Sequence, residues 1–208
     1  MGQTEGGQPG VLLVLSGPSG VGKNTVLNAL IAQNPQVRYS ISATTRPPRS
    51  GEVHGRHYFF LAEEEFARRV AAGEFLEWAE FCGHRYGTPR PFVAESLAAG
   101  FHVVLDIDVQ GAKRVREARP SAVLVFLLPP SWEILKTRLR SRGADTEEAI
   151  ARRLASAKEE IAALPAYEYL VWNREVSVAV RELEAILTAE SCRTARRGEE
   201  SLRRFFER

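Results

Sequence analysis

The apolar run Val11-Leu12-Leu13-Val14-Leu15 is followed, one residue later, by Gly17-Pro18-Ser19-Gly20-Val21-Gly22-Lys23-Asn24-Thr25 and then by a helical pattern. Few folds accept that order. The run does not alternate, so both faces of the strand must be covered, as in the centre of a parallel sheet. The glycines let backbone N–H groups approach phosphate oxygens without a Cβ in the way, and the helix start adds partial positive charge. Residues 17–25 therefore read as a P-loop, with Lys23 reaching the β- and γ-phosphates of a nucleoside triphosphate. The position that usually supplies a hydroxyl to Mg²⁺ is Asn24 here, with Thr25 next. The Asn24 amide oxygen, a bound water or Thr25 can fill that role. Mg²⁺ itself is expected, because it binds largely through water and substrate phosphates. Asp106, at the end of Val103-Val104-Leu105, is the expected carboxylate for the metal or its waters; its plainer reading is a capping Asp at a strand end.

Apolar runs recur at 103–107, 122–128 and 169–172, and helical patterns at 25–32 and 132–140, the latter behind a Ser131 N-cap. Strand and helix alternate, which predicts an α/β fold with a parallel sheet. Residues 39–86, rich in Arg, Gly, Pro and aromatics, interrupt the rhythm and predict an inserted subdomain of mostly β character. Arginines at 138, 140, 142, 152 and 153, with Asp145 and Glu148 at capping-box spacing, predict a solvated helical flap. Residues 1–10 predict a loose tail, and 191–208 an Arg/Glu-rich helix extension or frayed end.

With 208 residues, 44% hydrophobic and 26% charged, the chain suits one soluble domain. The net charge of +2 arises in the last segment, whose six Arg and three Glu leave the rest of the chain slightly negative. That balance argues against a nucleic-acid partner. Cys82 and Cys192 stand too far apart in sequence to suggest a zinc site, and a reducing, cytoplasmic setting fits. No basic and apolar leader pattern opens the chain, and no apolar run reaches the roughly 18 residues of a membrane span.

The second substrate is written in Thr44-Thr45-Arg46-Pro47-Pro48-Arg49 and in Glu77 with Thr88. Pro47-Pro48 favours a polyproline II path that places Arg46 and Arg49 on one side, ~9 Å apart, as a phosphate clamp. A solvated Arg-Pro loop is the bland alternative. Glu77 lies among apolar side chains; its carboxylate can accept from guanine N1–H and the exocyclic amine while the Thr88 hydroxyl donates to O6, a pattern adenine does not match. His54 and His57 lack a third ligand, and the three Trp are dispersed, so neither set suggests a metal or base-stacking site.

The motifs GPSGVGKNT, SATTRPPRSGEVHGRHYFF, GEFLEWAEF, HRYGT, LDIDVQG and LPPSWEILKTRLRSRG, in this order over Val11 to Glu190, closely resemble the guanylate kinase family. The resemblance implies a P-loop NTPase-type three-layer core with a β-rich GMP-binding insertion at about 39–90 and a helical lid at about 136–160. It implies phosphoryl transfer from ATP to GMP. By the same resemblance, Ser42, Arg46, Arg49, Tyr58 and Tyr86 contact the GMP phosphate, and Glu77 and Thr88 read guanine. Asp108 lies near the nucleoside, and Arg142 and Arg153 close over the phosphates. Asn173, in Trp172-Asn173-Arg174 where the family has an Asn-Asp pair, is implied near adenine. The rival reading is a family-like protein-binding module without catalysis; such a module could dispense with Lys23, the arginine clamp and Glu77.

Overall fold

In the computed structural model, which describes residues 10–81, 83–141 and 146–207, strands and helices run in chain order as β1 (Leu12–Ser16), α1 (Lys23–Gln33), β2 (Val37–Tyr39), β3 (Ala43–Thr44), β4 (Phe59–Phe60), α2 (Glu63–Ala71), β5 (Phe75–Phe81), β6 (His84–Pro89), α3 (Arg90–Ala98), β7 (His102–Asp106), α4 (Val109–Ala118), β8 (Val123–Leu128), α5 (Trp132–Arg140), α6 (Glu147–Ala162), β9 (Tyr169–Trp172), α7 (Val176–Ser191) and α8 (Thr194–Phe206). The central sheet has the order β2-β7-β1-β8-β9, and its paired strands are parallel.

Every residue of β1 is buried, which is why its sequence does not alternate. Leu13 and Leu15 enter one core with Val26, Leu27 and Leu30 of α1 and Val180, Leu183 and Leu187 of α7. Leu12 and Val14 enter the other with Val93 and Leu97 of α3 and Ala112 and Val115 of α4. Helices thus cover both faces and make three layers. Each such buried aliphatic side chain contributes ~1.5–3 kcal/mol, so this strand anchors the loop that leaves it.

Between β2 and β7 the chain builds a second sheet, β4-β3-β6-β5, with β3 parallel to β4 and antiparallel to β6. Its own small core holds Ala43, Phe66 and Phe75, the two rings stacked with centroids 4.6 Å apart. This insertion is less purely β than its composition suggests. Helix α2 lies within it, stabilised by Glu63, Glu64 and Glu65 at its positive end, Arg68 and Arg69 at its negative end, and burial of Phe66.

Helices α5 and α6 form a hairpin with a separate core of Leu135, Leu139, Ile150 and Ala157. Ser131 caps α5 as its sequence predicts, its hydroxyl accepting from Ile134 N at 3.2 Å. The α6 cap is Thr146 rather than Asp145: its hydroxyl accepts from Ala149 N at 3.3 Å. Asp145, like Arg142, Cys82 and residues 1–9, lies outside the described residues. Helix α8 extends from α7, tied back by Arg196, which donates to Ser121 O at 2.6 Å. Among the described residues no helix is long and apolar enough to cross a membrane.

Candidate active site

The loop between β1 and α1 is held by backbone geometry that only glycine tolerates. Gly17 and Gly22 have φ of 150° and 95°. A Cβ on Gly17 would lie 2.3 Å from the Leu127 carbonyl oxygen, and one on Gly22 would lie 2.7 Å from Asn173 Nδ2. The first clash is with the backbone of a central strand, which cannot yield. Gly17→Ala is expected to cost ~2 kcal/mol or more, lowering the melting temperature by several degrees and abolishing ATP binding by fluorescence titration. Gly22 is the N-cap of α1 and supplies no side-chain bond to the helix start. Orphan N–H groups there satisfy the geometric need of an anion.

Lys23 Nζ donates to Gly17 O at 2.6 Å and stands 3.8 Å from Asp106 Oδ1. Asp106 reaches this point because β7 lies beside β1, with Asp106 in register with Leu15. Burial pushes the Asp106 carboxyl up and the Lys23 charge opposes that rise. Asn24 and Thr25 are exposed on the first turn of α1. Carboxylate, hydroxyl and amide oxygens are hard donors, a set that fits Mg²⁺ bound mainly through water and phosphate.

The loop rests on two supports. Asn173, 4% exposed, donates from Nδ2 to Val21 O at 2.7 Å. Arg138 of α5 donates to the same oxygen at 2.9 Å and to Asn173 O at 3.1 Å. Asn173 thus packs against the loop with its amide hydrogen-bonded to it, in space that a side chain on Gly22 would fill. Arg138 was one of five arginines in its stretch of sequence, and nothing in their spacing singles it out.

On the inserted sheet, Glu77 and Thr88 are direct cross-strand partners in β5 and β6. Both are buried, and Thr88 Oγ1 donates to Glu77 Oε1 at 2.7 Å. Burial pushes the Glu77 carboxyl up; the Thr88 bond opposes this, while the nearby Asp108 charge adds to it. A hydroxyl donates once, so Thr88 can donate to another acceptor only by turning from Glu77, which frees Oε1 in the same motion. The start of α4 faces this pair: a Cβ on Gly111 would be 3.4 Å from Glu77 Oε2. Asp108, exposed, caps α4 by accepting from Gly111 N at 2.8 Å.

Ser42 is buried, and Arg46 is largely shielded while Arg49 is exposed. The Arg46 guanidinium donates from Nη2 to Glu52 Oε1 at 2.9 Å and from Nη1 to Pro47 O at 2.8 Å. It lies 5.4 Å from the centre of the Tyr58 ring, which meets Tyr86 edge-on at 6.1 Å. The two arginines therefore differ in setting, one fixed and one solvent-facing, because a carboxylate that their spacing did not reveal holds the first. Burial, and then the charge of Asp106, push the Tyr58 hydroxyl up. The charge of a core carboxylate thus bears on a tyrosine of the insertion, and the start of α4 lies against Glu77 of the same insertion. From the hairpin, Glu160 feels the Lys23 charge, which opposes the rise that burial imposes on its carboxyl. Arg153 is half-buried on α6, and Arg142 lies outside the described residues.

Strand, glycine loop and helix follow one another as in P-loop phosphate-binding proteins, and the parallel sheet with its three layers makes the fold a P-loop NTPase fold. The family model for guanylate kinase matches residues 10–190. Guanylate kinase of Symbiobacterium thermophilum is 53% identical over 189 residues, covering 91% of this chain and 90% of that one. Guanylate kinase of Streptomyces coelicolor is 55% identical over 175 residues, covering 84% and 89%. The crystal structure of guanylate kinase from Anaplasma phagocytophilum superposes with a TM-score of 0.77 at 36% identity, covering 94% of each chain. The chain belongs to the guanylate kinase family.

Proposed function

We propose that the protein transfers the γ-phosphoryl group of ATP to GMP, giving ADP and GDP, as a cytoplasmic step of purine nucleotide metabolism. The observation that carries this reading is the buried Glu77–Thr88 pair, a hydrogen-bonding edge for a base, set on the insertion against the start of α4.

Each part then has a role. Residues 17–25 bind the ATP phosphates, with Lys23 as the fixed charge on them. Asn173 and Arg138 hold the loop's floor, so Asn173 acts on ATP through Val21 as well as by any reach toward adenine. Ser42, Arg46, Arg49, Tyr58 and Tyr86 receive the GMP phosphate; Glu77 and Thr88 read guanine, and Asp108 lies beside the nucleoside. Residues 39–90 are the GMP-binding insertion and the α5–α6 hairpin is the lid, from which Arg153 approaches the transferring phosphoryl group, a role that the sequence resemblance also gives Arg142. Asp106, with Asn24 or Thr25, would hold Mg²⁺ largely through water. When bound, that ion neutralises phosphate charge.

Two phosphates of like charge repel, so the chain's task is to bring cations around both and to align them. Lys23, Arg46, Arg49, Arg142 and Arg153 do this. No general base is needed, because a GMP phosphate oxygen is already anionic at neutral pH. Closing of the lid excludes water, which would otherwise take the phosphoryl group.

The test is ADP release from Mg-ATP with GMP, AMP, CMP and UMP compared side by side. GMP is expected to support turnover, with AMP poorer by as much as ~10⁴-fold in kcat/KM. Absence of GMP-dependent ADP release would overturn the reading in favour of a binding module.

A further inference from the structure

We propose that Glu52 is the positioning residue of the acceptor-phosphate clamp: through the two oxygens of one carboxylate it fixes the Arg46 guanidinium and the Arg49 backbone in a single geometry. The inference rests on the GMP reading above and goes past it, to how the clamp is set before the phosphate arrives.

Glu52 Oε1 accepts from Arg46 Nη2 at 2.9 Å, and Glu52 Oε2 accepts from Arg49 N at 2.7 Å. The Glu52 backbone closes the same turn, its N–H donating to Arg49 O at 3.0 Å. One residue therefore ties together both arginines of the Arg-Pro-Pro-Arg segment. Arg46 is held at two of its three nitrogens, by Glu52 and Pro47 O, and lies against the Tyr58 and Phe60 rings at 5.4 and 5.8 Å. A guanidinium has five N–H donors, so this fork is oriented while retaining donors for an anion. The hydrogen bond to Arg46, and then that from the Arg49 backbone, hold the Glu52 carboxyl down at about 2, so the tie is ionised throughout the working range of an enzyme. Labour is thereby divided. Arg46, aimed by Glu52, is the directional cation of the pair, whereas exposed Arg49 carries the less compensated charge.

The test is Glu52→Gln. An amide offers one acceptor oxygen where a carboxylate offers two, so either Arg46 Nη2 or Arg49 N–H loses its partner. KM for GMP is expected to rise by about 10-fold or more, with kcat within about 3-fold of the parent. Guanosine, which carries the base but no phosphate, is the control: its inhibition constant against GMP is expected to stay within about 2-fold. Glu52→Asp keeps both oxygens on a shorter stem, so it is expected to raise KM for GMP less than Glu52→Gln, again without affecting guanosine; this variant decides the matter if the Gln protein does not fold. An unchanged KM for GMP in the variant assayed would overturn the proposal, and so would weakening of guanosine in step with GMP, since that would make Glu52 a support of the whole insertion. Lack of GMP-dependent turnover in the unaltered protein would instead sink the GMP reading itself.

Discussion

Replacing Lys23 by alanine is expected to lower kcat for ATP and GMP by about 10³-fold, the scale set by removing one preorganised charge from a developing transition state. Steady-state ADP release measures it. The ammonium is already part of the loop, bonded to Gly17 O at 2.6 Å, so in the proposed reaction its charge would meet the phosphates with little reorganisation. The same substitution leaves Asp106 without its nearest cation. Burial already pushes that carboxyl up against the pull of Lys23, and without the lysine it rises further. An acid whose folded-state pKa is raised adds stability below its unfolded pKa and loses it as pH climbs through the folded value. The variant's deficit in melting temperature should therefore be largest at neutral to alkaline pH and shrink on acidification, as a thermal scan at several pH values would show. If turnover stayed within about tenfold of the parent, Lys23 would not be the charge that stabilises transfer.

The stretches of sequence that determine their own structure were legible, and those that depend on distant partners were not. Val11–Leu15 announces a doubly covered strand because neither face can meet water, and Ser131 announces α5 because capping is local. Residues 169–172 read correctly as a strand, β9, from a short apolar run alone. Helix α2 was obscured because the glycines, prolines and aromatics around it colour the whole window, although Phe66 and Val70 are four apart and the charges suit a helix dipole. The Glu77–Thr88 pair was visible as two isolated residues; their direct opposition follows from the register of a hairpin. Glu52 and Arg138 were invisible as site residues for one reason. Each acts through a carbonyl, backbone amide or guanidinium brought near by a turn or by tertiary packing, and neither partner leaves a mark at fixed spacing. The bond from the Asn173 amide to Val21 O leaves no mark in the sequence, because the space that receives the amide is made by the missing side chain of Gly22.

Loss of the Glu77 carboxylate is expected to collapse base selectivity. In the proposed reading an ionised Glu77 offers two acceptors to a base edge that donates twice, and Thr88, now bonded to Oε1, gives up that bond to the base. A site built this way rejects a mismatched analogue by as much as ~10⁴-fold, because the wrong base leaves buried groups unpaired. Glu77→Ala is expected to reduce the kcat/KM ratio of GMP to AMP by about 10²-fold or more, mostly through weaker GMP binding. Glu77→Gln goes further, since its NH₂ can donate to adenine N1 while its carbonyl still accepts from Thr88; AMP turnover should rise as GMP turnover falls. The pH profile gives an independent readout. Burial pushes the Glu77 carboxyl above the ordinary range, so kcat/KM for GMP should fall on the acid side at a pH higher than a solvated carboxylate would give. A protonated oxygen facing guanine N1–H sets donor against donor, which fixes the sign. In Glu77→Gln that part of the acid limb should vanish. The stability prediction has the opposite direction: an ionised carboxylate is costly to bury, so Glu77→Gln should melt no lower than the parent at neutral pH and higher if its bond with Thr88 survives. Variants that kept the GMP preference, or an acid limb unmoved by Glu77→Gln, would show that the base is read elsewhere.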